Sequence, residues 1–444
     1  MAGKKICVGA LVFLVLCVLT PSSCPALPRV ERTVLANKLT VLVFEDHSIP
    51  AVTLELLVSA GSWRDPGTAN GLANLTARSL LIGTRNLTFE QINERLDFIG
   101  ATLDADCGKD SARFGMQMLK KDLDSGFGLF VDILTAPAFH KEDVEREKDN
   151  IVGKLRTEED DPVEVASRAF EKALFLNSPY GPQSEGTEES LAGISLDALT
   201  RFYSDFYRPN NSILVVGGDI TPAEVQERLV PKLLQWGAAE IPEMRYTEGF
   251  AEGPATVRID RPVTQATIII GSPAIDRADK DYYAFAVMNH ILGSGDLSSR
   301  LMAQIRVKSG LAYSVQSYLL ARKHAGALGI LIQTKDATAK EAIALAVAEL
   351  ERLQREPVSE AELEGAKKFL IGNFPLRYSS TQQDFAKFLA RSEFYGLGTD
   401  YPEKYPSLIQ AVTAQDILGV AKKYLKPHNH VLTIVADLGK AQVK

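Results

Sequence analysis

The chain has 444 residues, of which 45% are apolar and 24% charged, with a formal net charge of -7 and a pI near 5.6. This is ordinary globular composition, and the length suggests two to four domains. A disordered tail protein, a collagen-like rod and a multi-span membrane protein are excluded, and an acidic chain without a dense Lys/Arg block is a poor nucleic-acid binder.

Residues 1–27 read as a secretory signal peptide. Lys4 and Lys5 form a short basic start, 6–19 is an uncharged run, and 21–26 supplies small residues suited to cleavage. The run falls short of the roughly 18 apolar residues of a spanning helix, so no stable membrane span is expected after cleavage. A retained anchor is the alternative. The segment lacks the Arg- and Ser-rich amphipathic pattern of a mitochondrial transit peptide. The expected location is therefore periplasmic or secreted. A lipid anchor at Cys24 is opposed by Pro21-Ser22-Ser23, a poor lipobox. Loss of Lys4 and Lys5 takes the mature charge to about -9. Cleavage after Ala26 also removes Cys7, Cys17 and Cys24, leaving Cys107. A lone cysteine makes no internal disulfide and reads as a small half-buried strand residue. Sequons at Asn74, Asn86 and Asn210 matter only in a eukaryotic secretory host.

After the signal, 39–44 and 52–58 read as strands, β-branched and apolar, joined by a turn at 46–50. The segment 72–82 reads as helix, with Leu72, Leu75, Ser79 and Ile82 on one stripe. Thr88-Phe89-Glu90-Gln91 is a capping box opening a helix over 89–99. A hairpin follows at 101–107 and 113–118, then helices at 122–134 and 141–156. Gly237, Pro242, Gly249, Gly253 and Pro254 mark a linker over 237–254.

The chain repeats itself. Tyr207-Arg208-Pro209-Asn210 and the apolar run to Asp219 match Leu425-Lys426-Pro427-His428 and the run to Asp437, at an offset of 218 residues from Pro209 to Pro427. Each copy follows a helix with a good N-cap, Ser195 or Thr413. The charged helices near 141–156 and 360–372 match as well. The expected fold is therefore α+β: two homologous domains, 28–236 and 255–444, each a mixed or antiparallel sheet with packed helices.

The segment Gly71-Leu72-Ala73-Asn74-Leu75-Thr76-Ala77-Arg78-Ser79, after Ala60-Gly61-Ser62-Trp63-Arg64-Asp65-Pro66, resembles the zinc-site region of the pitrilysin (insulinase-like) metallopeptidases, which include the mitochondrial processing peptidases. In that family the helix carries His-x-x-Glu-His, whose i, i+3 and i+4 positions share one face. Two imidazoles bind zinc and the Glu activates its water. This chain has Asn74, Ala77 and Arg78 at those places. The family's third ligand, a Glu about 76 residues beyond the second His, falls here on Lys154. All four positions are changed, and the two cations offer zinc no lone pair. No zinc is expected on this chain. His47, His140, His290 and His324 are isolated in sequence, and the pair His428 and His430 has no neighbouring carboxylate in sequence to complete a site.

The second half keeps a different part of the resemblance. Arg306-Val307-Lys308-Ser309-Gly310-Leu311-Ala312-Tyr313 matches the family motif in which an Arg, and a Tyr seven residues later, bind the substrate backbone and stabilise the developing oxyanion. The pattern is that of the family's two-chain enzymes. One subunit bears zinc, and the other lacks the metal motif but supplies the Arg/Tyr pair. The resemblance implies a non-catalytic subunit of a periplasmic zinc endopeptidase. Its partners would be a zinc-bearing subunit of the same family and a peptide or unfolded protein, the latter paired along an edge strand near Ala60, Gly61 and Ser62. The alternative is a catalytically inactive scaffold or peptide-binding protein. A zinc-independent enzyme is disfavoured, because no nucleophile–base pair lies near Asn74 in the sequence.

Overall fold

The computed structural model describes residues 27–441. Residues 1–26, with the expected signal segment and its three cysteines, lie outside the described residues, and none of the described helices is long and apolar enough to cross a membrane.

Two sheets organise the chain. The first holds β1 (Val30–Val34), β2 (Thr40–Glu45), β3 (Ala51–Val58), β4 (Thr102–Cys107), β5 (Ala112–Leu119) and β6 (Ser212–Gly218), in the order β1-β2-β6-β3-β5-β4. The second holds β7 (Ala255–Asp260), β8 (Ala266–Ala274), β9 (Ala312–Ala321), β10 (Gly326–Thr334) and β11 (Val431–Ala436), in the order β7-β11-β8-β10-β9. Without β1 the two orders are the same. In both, the last strand runs parallel to the first core strand, Thr40 opposite Ile213 and Ala255 opposite Val431. The other pairings are antiparallel. The duplication seen in sequence is thus a duplication of topology.

The expected caps form. Thr88 and Gln91 close a capping box on Phe89–Ile99, and Thr413 and Asp416 do so on Ala414–Tyr424. Ser195 Oγ accepts from Ala198 N–H at 3.1 Å, satisfying one orphan donor of helix Leu196–Phe206. The helix expected over 72–82 ends at Ser79 and tightens into a 3₁₀ turn over Leu80–Ile82. Residues 237–254 hold neither helix nor strand.

The halves are not independent in packing. Helix Pro162–Leu174, from the first half, packs on β8 and β11 of the second sheet. Helix Gln382–Phe394, from the second half, packs on β3 and β6 of the first. Phe170 therefore shares a core with Ile269, Val431 and Val435, and Phe385 shares one with Phe44, Leu57 and Val215. This exchange explains β3. Its eight residues are all buried because both faces are covered, so polar/apolar alternation is absent. Gly217 and Gly271 lie under the exchanged layers. A Cβ on Gly217 would lie 1.9 Å from the Phe44 ring, and one on Gly271 would lie 2.5 Å from Phe170.

The halves also meet at their hairpin tips. Asp110, 6% exposed in the β4–β5 turn, accepts from Tyr180 Oη. Its Oδ2 accepts from the Lys323 N–H and from Tyr395 Oη, both at 3.0 Å. Lys323 lies in the β9–β10 turn, and Tyr395 ends the exchanged helix.

Candidate functional site

Helix Leu72–Ser79 carries three of the four metal-motif positions. Its start is set by backbone geometry. Gly71 has φ 95°, and a Cβ there would lie 2.6 Å from the Glu185 carbonyl oxygen, so glycine is required both by conformation and by space. The cap comes from upstream. Asp65 Oδ2 accepts from the Gly71 N–H and Oδ1 from the Ala73 N–H, each at 2.8 Å. Loss of water pushes the Asp65 carboxyl up to about 7, against the pull of the Ala73 and Gly71 N–H groups and of Lys109.

On this helix Asn74 and Ala77 are buried and Arg78 is partly exposed. Asn74 Oδ1 is buried without a hydrogen-bond partner. Arg78 Nε donates to Glu147 Oε1 on helix Lys141–Glu158. The other Glu147 oxygen accepts from Asn150 Nδ2 at 2.9 Å. Lys154, two turns beyond Glu147, is exposed and takes its own partner, Glu158, at 3.4 Å. The two cations therefore answer to separate carboxylates. The residues at the four positions do not fit zinc: an amide, a methyl group, a guanidinium already bound to a carboxylate, and an ammonium. Among the described residues, no group of three or more His, Cys, Asp or Glu side chains is placed to hold a metal ion.

Glu147 was not singled out in the sequence, although its seven-residue spacing from Lys154 puts both on one helix face. It is 7% exposed, so removing its partner strands a buried carboxylate. We expect Arg78→Met to cost about 1–3 kcal/mol in urea denaturation, with Glu147→Gln in the same background recovering part of the loss.

The histidines do not assemble. His428 Nε2 lies 3.1 Å from Glu351 Oε1, a carboxylate that sequence order had not placed beside it. His430 is turned to the Pro427 carbonyl oxygen at 2.8 Å. Cys107 is fully buried rather than half-buried, and burial pushes its thiol well above the usual range.

Arg306 and Tyr313 lie on the other half. Arg306 lies in the last turn of the helical segment Met302–Lys308 and is exposed; among the described residues its side chain has one polar contact, Met302 Sδ at 4.0 Å. Tyr313 is 72% exposed near the start of β9, an edge strand. Among the described residues, no hydrogen bond or ion pair joins this pair to Asn74, Arg78 or Lys154.

Ala60, Gly61 and Ser62 do not lie on an edge strand. β3 is an inner strand between β6 and β5, and all three residues are buried beyond its end. Their surroundings are already filled. The Ser62 N–H donates to the Gly108 carbonyl at 3.0 Å, and a Cβ on Gly61 would lie 2.2 Å from the Lys109 carbonyl oxygen. The open edge on that side of the sheet is β4, at Thr102–Cys107.

Beside that edge, Arg113 Nε lies 2.9 Å from Glu55 Oε1, and the same guanidinium contacts Asp104 on β4. One cation thus serves two carboxylates. Asp104 is half exposed and keeps its water, whereas Glu55 is 1% exposed. Desolvation therefore pushes Glu55 up to about 8, against the pull of Arg113. Between its unfolded value near 4.5 and about 8, the folded state holds a proton that the unfolded chain has lost, so stability falls as pH rises across that window. We expect Glu55→Gln to flatten this decline in denaturation midpoints measured from pH 5 to 8; an unchanged slope would mean that Glu55 is ionised throughout.

Two family models cover most of the chain. Residues 40–188 match the insulinase-type peptidase family M16 model, and residues 193–370 match the M16 inactive-domain model. The chain belongs to peptidase family M16. Its M16 relatives carry divergent descriptions. It is 27% identical over 91% of its length to a non-peptidase homolog, YmxG, of Helicobacter pylori, covering 93% of that protein. It is 24% identical over 92% of its length to an uncharacterized zinc protease, also YmxG, of Bacillus subtilis, covering 99% of that one. Among solved structures, an M16 inactive domain from Pseudomonas fluorescens superposes with a TM-score of 0.85 at 24% identity, covering 92% of this chain and 98% of that one. A protease from Helicobacter pylori gives 0.81 at 21%, covering 92% and 100%. The duplicated α+β fold is therefore that of the M16 family.

Proposed function

We propose that this chain is the non-catalytic subunit of a heteromeric, periplasmic zinc endopeptidase. A zinc-bearing M16 partner would supply the metal and the Glu that activates water. This chain would supply Arg306 and Tyr313 to the substrate carbonyl. The observation carrying the reading is their exposure: a guanidinium with no carboxylate partner among the described residues and a phenol open to solvent, at the family's spacing. Such donors stabilise charge developing on oxygen when a partner surface excludes water from them. Extended peptide or unfolded protein would pair with the open β4 edge, Thr102–Cys107, in place of the buried Ala60–Ser62 segment expected from sequence.

The second reading is an inactive scaffold or peptide-binding protein. It is favoured by the Arg78–Glu147 pair, which gives the altered metal helix a structural role, and by the non-peptidase description of one relative.

The test is zinc content and peptide hydrolysis by the chain without its signal segment, alone and mixed with an intact-motif M16 homologue encoded beside it. The shared-site reading expects a zinc-free, inert chain whose addition raises the partner's activity. Unchanged partner activity supports the scaffold. Stoichiometric zinc and hydrolysis by the chain alone would overturn both readings.

A further inference from the structure

A cavity of about 570 Å³ lies between the exchanged helix Gln382–Phe394, the loop after β8 and the far end of β9. Four cations line it, Arg277, Arg377, Lys387 and Arg391, with a single acid, Asp384. This concentration of positive charge stands out in a protein of net charge -7.

Several largely buried cations elsewhere meet carboxylates, while Arg64, 9% exposed, is held by the Ser59 carbonyl oxygen and the rings of Trp63 and Phe206. Arg300 meets Glu362 at 2.7 Å, Arg322 meets Glu171 at 2.8 Å and Arg113 meets Glu55 at 2.9 Å. Among the described residues, none of the four cavity cations has a carboxylate within ion-pair distance, and Asp384 is taken up by the Thr381 hydroxyl at 2.8 Å. Lys387 and Arg391 stand at i and i+4 on one helix face, where like charges repel.

The cavity is also built to hold a planar cation still. The Arg277 guanidinium lies 3.8 Å from the Tyr282 ring centroid and 5.5 Å from that of Tyr401, and it donates to Tyr401 Oη at 2.9 Å. This ordering leaves its remaining N–H groups committed in direction before any ligand arrives.

We propose that this cavity binds a small multivalent anion of the oligophosphate class. Four cations against one carboxylate leave a net excess of three positive charges. Three guanidinium groups with five N–H donors each, and an ammonium with three, call for a ligand rich in acceptor oxygens. Adjacent phosphoryl groups supply both the charge and the oxygens in a compact volume. The site shares no residue with the Arg306 and Tyr313 surface, so it stands or falls apart from the peptidase reading.

The experiment is calorimetric titration of the chain with inorganic triphosphate, citrate and a Glu-rich peptide at low salt. Saturable triphosphate binding, one per chain, weakened by added salt and tighter than that of the other two ligands, is expected. The double variant Arg377→Gln, Arg391→Gln, at exposed positions, should keep its melting temperature and lose affinity by about tenfold or more. Lys422→Gln, on an exposed helix elsewhere, should leave affinity unchanged. Arg277→Gln should lose as much, with folding checked by circular dichroism. No saturable binding, or binding unaltered in the double variant, overturns the site. Tighter binding of citrate or of the acidic peptide overturns the oligophosphate assignment.

Discussion

Replacing Asp110 by alanine is expected to cost about 3–5 kcal/mol of unfolding free energy. The side chain is 6% exposed and accepts from two tyrosine hydroxyls and one backbone N–H. Truncation leaves three donors in a site that water does not readily reach, each carrying its own desolvation penalty. The donors come from Tyr180 in the first half, and from Lys323 and Tyr395 in the second. The same change therefore loosens one half from the other. Asp110→Asn, which keeps the volume but halves the acceptor capacity, should fall between, and Tyr395→Phe should cost about 1 kcal/mol because it removes only one donor. Urea denaturation followed by circular dichroism reads all three. A loss below about 1 kcal/mol for the alanine variant would show that the tyrosines find other acceptors and that the tip contact is not what joins the halves.

The fold was legible where local chemistry decides it. Thr88, Ser195 and Thr413 announce their helices because a cap is a contact between near neighbours in sequence. The repeat at Pro209 and Pro427 announced the duplication, and the matching strand orders follow from it. What sequence could not supply was partnership over distance. The resemblance implies an edge strand near Ala60, Gly61 and Ser62, yet β5 and β6 flank β3 through pairings that depend on the whole topology. The helix exchange has no local signature, since Phe170 and Phe385 are ordinary apolar-face residues whichever sheet they cover. At the altered motif the residue types, an amide, a methyl group, a guanidinium and an ammonium, do not fit zinc. That Arg78 would be answered by Glu147, and Lys154 by Glu158, depended on how two helices pack. The Asp110 junction and the cation-lined cavity are each gathered from distant segments, and neither leaves a trace in any one of them.

Within the proposed two-chain enzyme, Arg306→Ala is expected to lower kcat by about 10²–10³-fold while leaving the chain's own stability within about 0.5 kcal/mol of the parent. Both halves of this expectation come from one fact. Arg306 and Tyr313 are exposed, and among the described residues neither side chain has a carboxylate partner, so a large effect on turnover is expected to arise through substrate. If the pair acts on the oxyanion, the interaction strengthens only as charge develops, and kcat and kcat/KM fall together. If it merely holds the peptide, KM rises and kcat stays. Tyr313→Phe separates the hydroxyl from the ring: loss of donation lowers kcat, whereas a role as a stacking surface at the partner interface survives the change. Arg306→Lys keeps the charge but replaces the planar fork with a point donor, so a partial rescue is expected from it and none from Gln. If the double variant Arg306→Ala, Tyr313→Phe leaves hydrolysis by the mixed chains untouched, the shared-site reading fails. The exposed pair would then be surface residues of an inactive M16 scaffold whose metal helix has been rebuilt around Arg78 and Glu147.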